Sequence, residues 1–137
     1  MRNIKAKRIV VKIGTNVITN INGTLDLNIM RKLVEQIAKM QKKRKNVIII
    51  TSGAIGAGMR ELHLKAKPKD VTMRQVCASI GQHILMSNYK SLFNKHQINV
   101  AQILLTYYDF SSKKTFNYLH NSLNRLLELG VVPIINE

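Results

Sequence analysis

The sequence predicts an α/β fold in which helices cover both faces of a mainly parallel sheet, a three-layer αβα sandwich. Short apolar runs alternate with longer segments that have helical periodicity. The runs are apolar at consecutive positions, which is typical of strands that are buried on both faces. The sequence has no internal repeat, and its 137 residues are most simply a single domain with one core.

The first predicted strand is RIVVKI, residues 8–13. The polar stretch 14–26 is predicted to be a loop, and Asp26 at its end is a candidate helix cap. Apolar residues recur at helical spacing from Leu27, so we expect a helix that ends at about Lys43.

NVIIIT, residues 46–51, is the second predicted strand, and a short helix ending near Leu62 follows it. After a polar connection, helical periodicity begins at Thr72 and continues over more than twenty residues, which predicts a long helix. Gly81 lies inside this helix at a cost of about 0.5–1 kcal/mol relative to alanine. A glycine there suggests close packing against another backbone.

The third strand is predicted at residues 98–105, and Gly130 is placed to end the helix that follows. That helix has an apolar face formed by Phe116, Leu119, Leu123, Leu126 and Leu127. VVPII, residues 131–135, is the fourth strand. Pro133 argues against a central position for it, because proline donates no hydrogen bond to a neighbouring strand.

The net charge of +15 is the outlying feature of the composition. A protein so basic attracts anions, whether nucleic acid, phosphorylated molecules or carboxylates. The densest basic cluster, residues 42–45, falls at a predicted helix end, where cations complement the dipole, and this favours a solvated surface over a nucleic-acid patch. One cysteine and four scattered histidines exclude a disulfide framework, favour a reducing cytoplasm and offer no metal-ligand spacing. No stretch approaches the roughly 20 apolar residues of a membrane helix.

Three polar or glycine-rich segments follow predicted strands: KIGTN (12–16), TSGAIGAG (51–58) and NE (136–137). Ligands of open α/β sheets bind outside the carboxyl ends of the strands. The three segments should therefore meet at one edge of the sheet. Their convergence is a stronger indication of a site than any one of them.

Each segment also has an ordinary structural explanation. Lys12 would be costly to bury unless it met an anion, but its ammonium group can also reach solvent at the strand end. The helix after Ser52 offers free N–H groups to a carboxylate or phosphate. Its glycines follow the pattern G-x-x-G-x-G, unlike the dinucleotide motif, and Gly56 and Gly58 are assigned mostly to packing. Asn136 is suited to a substrate's amino or carboxyl group, or to a turn.

The segments VVKIGTN, IITSGAIGAG, SIGQHILM, AQILLT and LLELGVVPIINE, in this order and spacing, resemble the glutamate 5-kinases of the amino-acid kinase superfamily. SGAIGAG distinguishes this group from other members of the superfamily. The resemblance implies that Lys12 is catalytic and contacts the transferred phosphate, with Gly14, Thr15 and Asn16 along the phosphate path. It further implies that glutamate is held by Ser52, Gly53, Ala54 and Asn136. The family usually has a hydroxyl at position 16, so the role of Asn16 there is an open point.

The resemblance implies ATP as co-substrate, Mg²⁺, a homo-oligomer when full length, and the first step of proline biosynthesis in the cytoplasm, with no membrane or nucleic-acid partner. It also implies that the chain is the N-terminal, amino-acid-binding part of a kinase domain. The family's later aspartate, nucleotide-base site and second lysine would follow residue 137. Two alternatives stay open: the kinase half of a pyrroline-5-carboxylate synthase, and a non-catalytic basic fragment that binds nucleic acid or an acidic partner.

Overall fold

The computed structural model describes residues 5–136. Within them, four parallel strands form one sheet in the order β1-β2-β4-β3. The strands are β1 (Arg8–Ile13), β2 (Asn46–Thr51), β3 (Val100–Ile103) and β4 (Val132–Asn136). The helices are α1 (Thr15–Ile18), α2 (Leu27–Lys42), α3 (Ala54–Glu61), α4 (Val71–Asn94) and α5 (Lys113–Glu128), with a short 3₁₀ helix at Tyr107–Phe110.

The predicted fold class is confirmed. The connections from β1 to β2 and from β2 to β3 run across the sheet in one direction, and the connection from β3 to β4 runs back. Because parallel crossovers are right-handed, α2, α3 and α4 lie on one face and α5 lies on the other. The packing agrees with this, since α4 contacts α2, α3 and β3 while α5 contacts β4.

The helix ends follow local signals in the sequence. The Asp26 carboxylate accepts hydrogen bonds from two N–H groups in the first turn of α2, so the predicted cap is confirmed. Asp70 caps α4 in the same way, with its carboxylate 2.7 Å from the N–H nitrogen of Met73. Gly130 follows α5 with a φ of +71°, a conformation that glycine adopts without strain. The capped ends of α2 and α4 and the end of α5 are therefore determined locally.

Pro133 argued against a central position for the fourth strand, and this expectation is wrong, since β4 lies between β2 and β3. The N–H of Val132 donates to the carbonyl of Asn99 on the β3 side (N···O 2.9 Å). Successive residues of a strand direct their N–H groups to alternate sides, so the nitrogen of Pro133 faces β2. The alignment with β2 begins only at Ile134. The N–H group that Pro133 lacks would lie before the residues of β4 that pair with β2, so no hydrogen bond between these two strands is lost.

Other differences concern the extent of the elements and the burial of their side chains. The predicted loop 14–26 contains the short helix α1, whose Ile18 is fully buried. The third strand is shorter than predicted, and Leu104 beyond it is exposed. On α5, Leu127 is buried as expected, but Phe116 is 47% exposed. Its ring contacts Phe110 and stacks on His120 instead of entering the core.

The core lies mainly between the sheet and the layer formed by α2, α3 and α4. Its central members are fully buried: Ile13, Ile49, Leu85, Tyr89, Phe93 and Ile134. β1 is buried on this face alone, because Val10 on the other face is 56% exposed. Lys12 shares the face of Val10, which explains how a lysine is accommodated in this strand. Across residues 5–136, none of the helices has the length and apolar character needed to span a bilayer.

Candidate active site

The three predicted segments meet at the carboxyl edge of the sheet. The register aligns Ile13 with Thr51, and Thr51 with Asn136, so the segments leave the sheet side by side. A hydrogen bond from the N–H of Ser52 to the carbonyl of Ile13 (N···O 3.0 Å) joins the turn after β2 to the end of β1. Glu137, the last residue of the third segment, lies outside the described residues.

A cavity of about 340 Å³ opens at this edge. Six of the eight predicted site residues line it: Thr15, Asn16, Ser52, Gly53, Ala54 and Asn136. Lys12 and Gly14 lie at the same edge but are not part of its wall. The structure thus brings the predicted glutamate-binding residues together and places Lys12 and Gly14 beside them.

Gly14 and Gly53 are glycines for different reasons. Gly53 has a φ of +109°, and a Cβ at this position would lie 3.1 Å from Cγ2 of Ile18. The backbone turn between β2 and α3 therefore requires glycine. Gly14 has an ordinary φ of −73° and open space where a Cβ would be. The fold therefore does not require glycine at position 14, and the backbone of Gly14 is open to its surroundings.

Gly56 and Gly58 are explained by packing. A Cβ on Gly56 would overlap the carbonyl oxygen of Gly23 in the turn between α1 and α2. A Cβ on Gly58 would overlap the backbone of Cys77 in α4. The glycines thus allow α3 to lie directly against two other backbone segments, as the sequence led us to expect.

The amino end of α3 lies in the cavity wall through Gly53, Ala54 and Ile55. The first N–H groups of a helix have no acceptor within the helix, and here the cap residue offers no side chain to bond them. Together with the positive end of the helix dipole, such groups favour an anion. Ser52, which is half-buried in the same wall, adds a hydroxyl.

Buried hydroxyl groups connect the turn after β2 to helix α4 by hydrogen bonds. The Thr51 hydroxyl donates to the carbonyl of Ser52 (Oγ1···O 3.0 Å). Because the single hydroxyl proton of Thr51 is engaged in this bond, the Tyr89 hydroxyl is the donor in its own hydrogen bond with Thr51 (O···O 2.8 Å). Tyr89 is fully buried in α4, and the two hydroxyl groups therefore connect the middle of that helix to the residue that enters the cavity.

The buried phenol makes stability dependent on alkaline pH. Burial raises the pKa of Tyr89 from 10.0 to about 12. Above pH 10 the unfolded chain ionises this tyrosine while the folded chain does not. The stabilising contribution is therefore complete below about pH 10 and is lost as the pH rises through about 12. We expect the free energy of unfolding of the unmodified protein, relative to Tyr89→Phe, to fall across this window by up to ~1.4 kcal/mol per pH unit.

Urea denaturation at pH 8, 10 and 11 measures this difference. Below pH 10, Tyr89→Phe should cost about 1 kcal/mol for the lost hydrogen bond. Tyr107→Phe, a change at an exposed tyrosine, is the matched control and should have little effect on the free energy of unfolding at pH 8. A difference between the unmodified protein and Tyr89→Phe that stays constant up to pH 11 would contradict the assignment.

Two residues of the site are absent from the sequence-based prediction. Lys67, in the connection between α3 and α4, lines the cavity and is the one charged side chain among the described residues of its wall. Gln82 of α4 accepts a hydrogen bond from Asn136 at 2.5 Å. Neither follows a strand, which is the criterion that selected the other candidates. Gln82 lies in SIGQHILM, one of the segments that resemble the family, but the sequence assigned no role to this residue.

The described part of the chain shows no cluster suited to a metal ion. Within residues 5–136, no three His, Cys, Asp or Glu side chains come together.

The sequence is similar to curated glutamate 5-kinases. It is 49% identical over 130 residues to that of Caldanaerobacter subterraneus subsp. tengcongensis, a match covering 95% of this chain and 35% of the relative. It is 44% identical over 132 residues to that of Aquifex aeolicus, covering 95% and 37%. The chain thus spans about a third of the length of the curated relatives that it matches. These matches confirm the resemblance drawn from the motifs.

Solved structures share the fold at low sequence identity. A UMP kinase from Ureaplasma parvum superposes with a TM-score of 0.57 at 21% identity, covering 96% of this chain and 56% of the other. An isopentenyl phosphate kinase from T. acidophilum gives 0.60 at 17% identity, covering 95% and 54%. The sequence model of the amino acid kinase family matches residues 7–137. Since this match covers nearly all of the chain, the chain belongs to the amino acid kinase family.

Proposed function

We propose that the protein phosphorylates the γ-carboxylate of L-glutamate with ATP, giving γ-glutamyl phosphate and ADP, and that this chain is its amino-acid-binding part. The observation that carries the proposal is the cavity at the carboxyl edge of the sheet, lined by Ser52, Gly53, Ala54 and Asn136. The similarity to curated glutamate 5-kinases supports it. Those relatives are about three times as long as the matched region.

The cavity is suited to a small dicarboxylate. Its volume of about 340 Å³ is at the lower end of the range for small-molecule sites and favours an amino acid over a whole nucleotide. The amino end of α3 attracts one carboxylate, and Lys67 adds a positive charge to the wall. Asn136 is a further polar residue of the wall. The positive groups together match the two carboxylates of glutamate.

The phosphate path is proposed to run along the turn after β1. Lys12 contributes a charge, and Gly14 leaves its backbone open to a phosphoryl group. Thr15 and Asn16 line the cavity on this side, so they lie between the amino acid and the turn. Asn16 replaces the hydroxyl common in the family, and its amide N–H group is an equivalent donor for a phosphoryl oxygen.

The chemistry requires no general base in the chain. The γ-carboxylate of glutamate, with an ordinary pKa of about 4.3, is already ionised at neutral pH. Its oxygen forms a bond to the γ-phosphorus of ATP while the bond from that phosphorus to the bridging oxygen breaks, and ADP leaves with the electron pair. The residues of the cavity and of the turn after β1 contribute by holding the two anions in line and neutralising charge on the phosphoryl oxygens. Mg²⁺ bound to the phosphates of ATP would neutralise part of their negative charge.

We further propose that the protein acts in the cytoplasm, as part of proline biosynthesis, and as a homo-oligomer. Its single cysteine, Cys77, is buried and free, which is compatible with a reducing compartment. Both substrates are anions, so a basic protein gains by attracting them. This gives the charge of +15 a use that does not involve nucleic acid.

ADP formation with and without glutamate tests the proposal. The intact protein, meaning this chain with any sequence that adjoins it in its gene, should form ADP from ATP only when L-glutamate is present. Hydroxylamine should trap the acyl phosphate as a hydroxamate. L-Aspartate, one methylene shorter, is the matched control and should give at least about tenfold less product at equal concentration. ADP formation that is independent of glutamate would contradict the proposal.

A further inference from the structure

The peptide between Ser52 and Gly53 lies where β2 turns into α3, and both residues are part of the cavity wall. The peptides on either side of it are fixed by backbone hydrogen bonds. The N–H of Ser52 donates to the carbonyl of Ile13 (N···O 3.0 Å), and the carbonyl of Gly53 accepts from the N–H of Ala57 (N···O 2.9 Å). These bonds do not determine the orientation of the peptide that lies between them.

Glycine at position 53 allows this peptide two orientations. Its φ is +109°. Turning the peptide plane over would bring this φ to roughly −70°, and glycine adopts both values readily. In a trans peptide such as this one, the carbonyl and N–H groups point in opposite directions. One orientation therefore places the N–H of Gly53 where the other places the carbonyl of Ser52, and only the N–H can donate to a carboxylate.

The hydroxyl of Thr51 selects one of the two orientations. It donates to the carbonyl of Ser52 (Oγ1···O 3.0 Å), and the direction of this bond is unambiguous because a carbonyl oxygen can only accept. Thr51 is fully buried and is not part of the cavity wall. The carbonyl of Ser52 is thus held towards the core, and the N–H of Gly53 points the other way. Among residues 5–136 this N–H has no acceptor.

Tyr89 keeps the proton of Thr51 in this bond. Its hydroxyl oxygen lies 2.8 Å from that of Thr51. If Thr51 donated to Tyr89 instead, the tyrosine proton would have no acceptor among the described residues, and the carbonyl of Ser52 would lose its donor. Since buried polar groups are nearly always hydrogen-bonded, the arrangement that satisfies all three groups is favoured.

We propose that Thr51 and Tyr89 are positioning residues: by holding the carbonyl of Ser52, they orient its peptide so that the N–H of Gly53 can donate to a carboxylate of the amino-acid substrate. Neither hydroxyl touches the substrate. This inference rests on the proposed function and adds to it two residues to which neither the resemblance nor the cavity wall assigns a role.

Steady-state kinetics of the intact protein carrying Thr51→Val tests the inference. Valine has the shape of threonine but no hydroxyl, so the peptide after Ser52 is free to turn over. We expect the KM for L-glutamate to rise about 10- to 100-fold, as for loss of a hydrogen bond to a charged group. The KM for ATP should not change. Thr51→Ser retains the hydroxyl, and its KM for L-glutamate should stay within about threefold of the original.

A double substitution separates positioning from stability. Thr51→Val leaves the buried hydroxyl of Tyr89 without a partner and should lower the free energy of unfolding, whereas adding Tyr89→Phe removes that hydroxyl and should restore part of the loss. The KM for L-glutamate should nevertheless stay raised in the double variant, because the carbonyl of Ser52 still has no donor. Phe93→Leu, at a fully buried position of the same helix, is the matched control. It should lower the free energy of unfolding and leave this KM unchanged.

Calorimetric titration with glutarate measures carboxylate binding without turnover. Its dissociation constant should rise in Thr51→Val by about the same factor as the KM for L-glutamate, because glutarate has both carboxylates of glutamate. An unchanged KM in Thr51→Val, or a double variant whose KM recovers together with its stability, would overturn the inference. Absence of glutamate-dependent ADP formation in the unmodified protein would instead overturn the proposed function.

Discussion

Replacement of Lys12 by alanine should lower kcat for glutamate-dependent ADP formation by about 10²- to 10³-fold, the usual effect of removing one group that stabilises transition-state charge. Lys12 lies in β1 two residues before the open backbone of Gly14, at the edge where the cavity forms. Its ammonium group is proposed to meet the γ-phosphate, where negative charge is redistributed as the phosphoryl group moves. Initial rates at saturating ATP and glutamate measure the effect.

The fold should not be affected by this change. Lys12 is exposed on the face of β1 that the described residues leave largely uncovered, so truncation creates no cavity in the core. We expect the thermal midpoint to move by less than about 2 °C, the shift for a surface change of ±0.5 kcal/mol. Lys90→Ala, at an exposed position of α4, should leave both kcat and the thermal midpoint close to those of the unmodified protein. Full kcat in Lys12→Ala would remove Lys12 from the proposed mechanism.

The elements of the fold were predictable because their signals are local. Consecutive β-branched residues in β2 predict a strand with both faces covered, and Asp26 and Gly130 mark helix ends through their own backbone and side-chain chemistry. The position of Pro133 was not predictable in the same way. Whether a missing N–H matters depends on which neighbour it faces and where the pairing begins. Both are properties of the register between distant segments.

The site was predictable to the extent that it follows from topology. Segments after parallel strands meet at one edge, and this brought Ser52 and Asn136 to the same cavity. Lys67 lines that cavity from a loop. Gln82, in the middle of a helix, is connected to it only through its hydrogen bond with Asn136. Their sequence positions have no periodic or capping signature, so only three-dimensional packing shows their relation to the site.

The glycines show the same division between local and tertiary information. From the sequence, those of TSGAIGAG and Gly81 are alike, since each merely lacks a side chain. In the structure, a Cβ on Gly81 would overlap the carbonyl oxygen of Ala54, and one on Gly58 would overlap the carbonyl oxygen of Cys77. α3 and α4 therefore meet backbone to backbone. Ala54 is both the first residue of α3 and part of the cavity wall, so this contact sets the position of the anion-binding end of α3.

Gly81→Ala should accordingly be the most damaging single-methyl addition in the chain. The substitution gains about 1 kcal/mol of helix propensity. The overlap is with backbone atoms, which cannot change rotamer, so the two helices must separate. We expect a net loss of about 2 kcal/mol or more in the free energy of unfolding. A displacement of about 1 Å at Ala54 should also raise the KM for glutamate by up to about 10²-fold. Urea denaturation and glutamate kinetics measure the two effects, and Ser79→Ala, at an exposed position two residues away, should show neither.

Gly14→Ala provides the converse case, because the same methyl group is added where the fold has room for it. Alanine adopts the φ of −73° found at Gly14 without strain, so the free energy of unfolding of Gly14→Ala should be unchanged or slightly higher than that of the unmodified protein. If a phosphoryl group passes close to this backbone, however, the methyl group will obstruct it, and the KM for ATP should rise while the KM for glutamate does not.

The two alanine substitutions can each contradict a different part of the interpretation. A stable Gly81→Ala would show that α3 and α4 can separate at little cost. A fully active Gly14→Ala would show that no ligand approaches the turn after β1, and the phosphate path would then have to lie elsewhere.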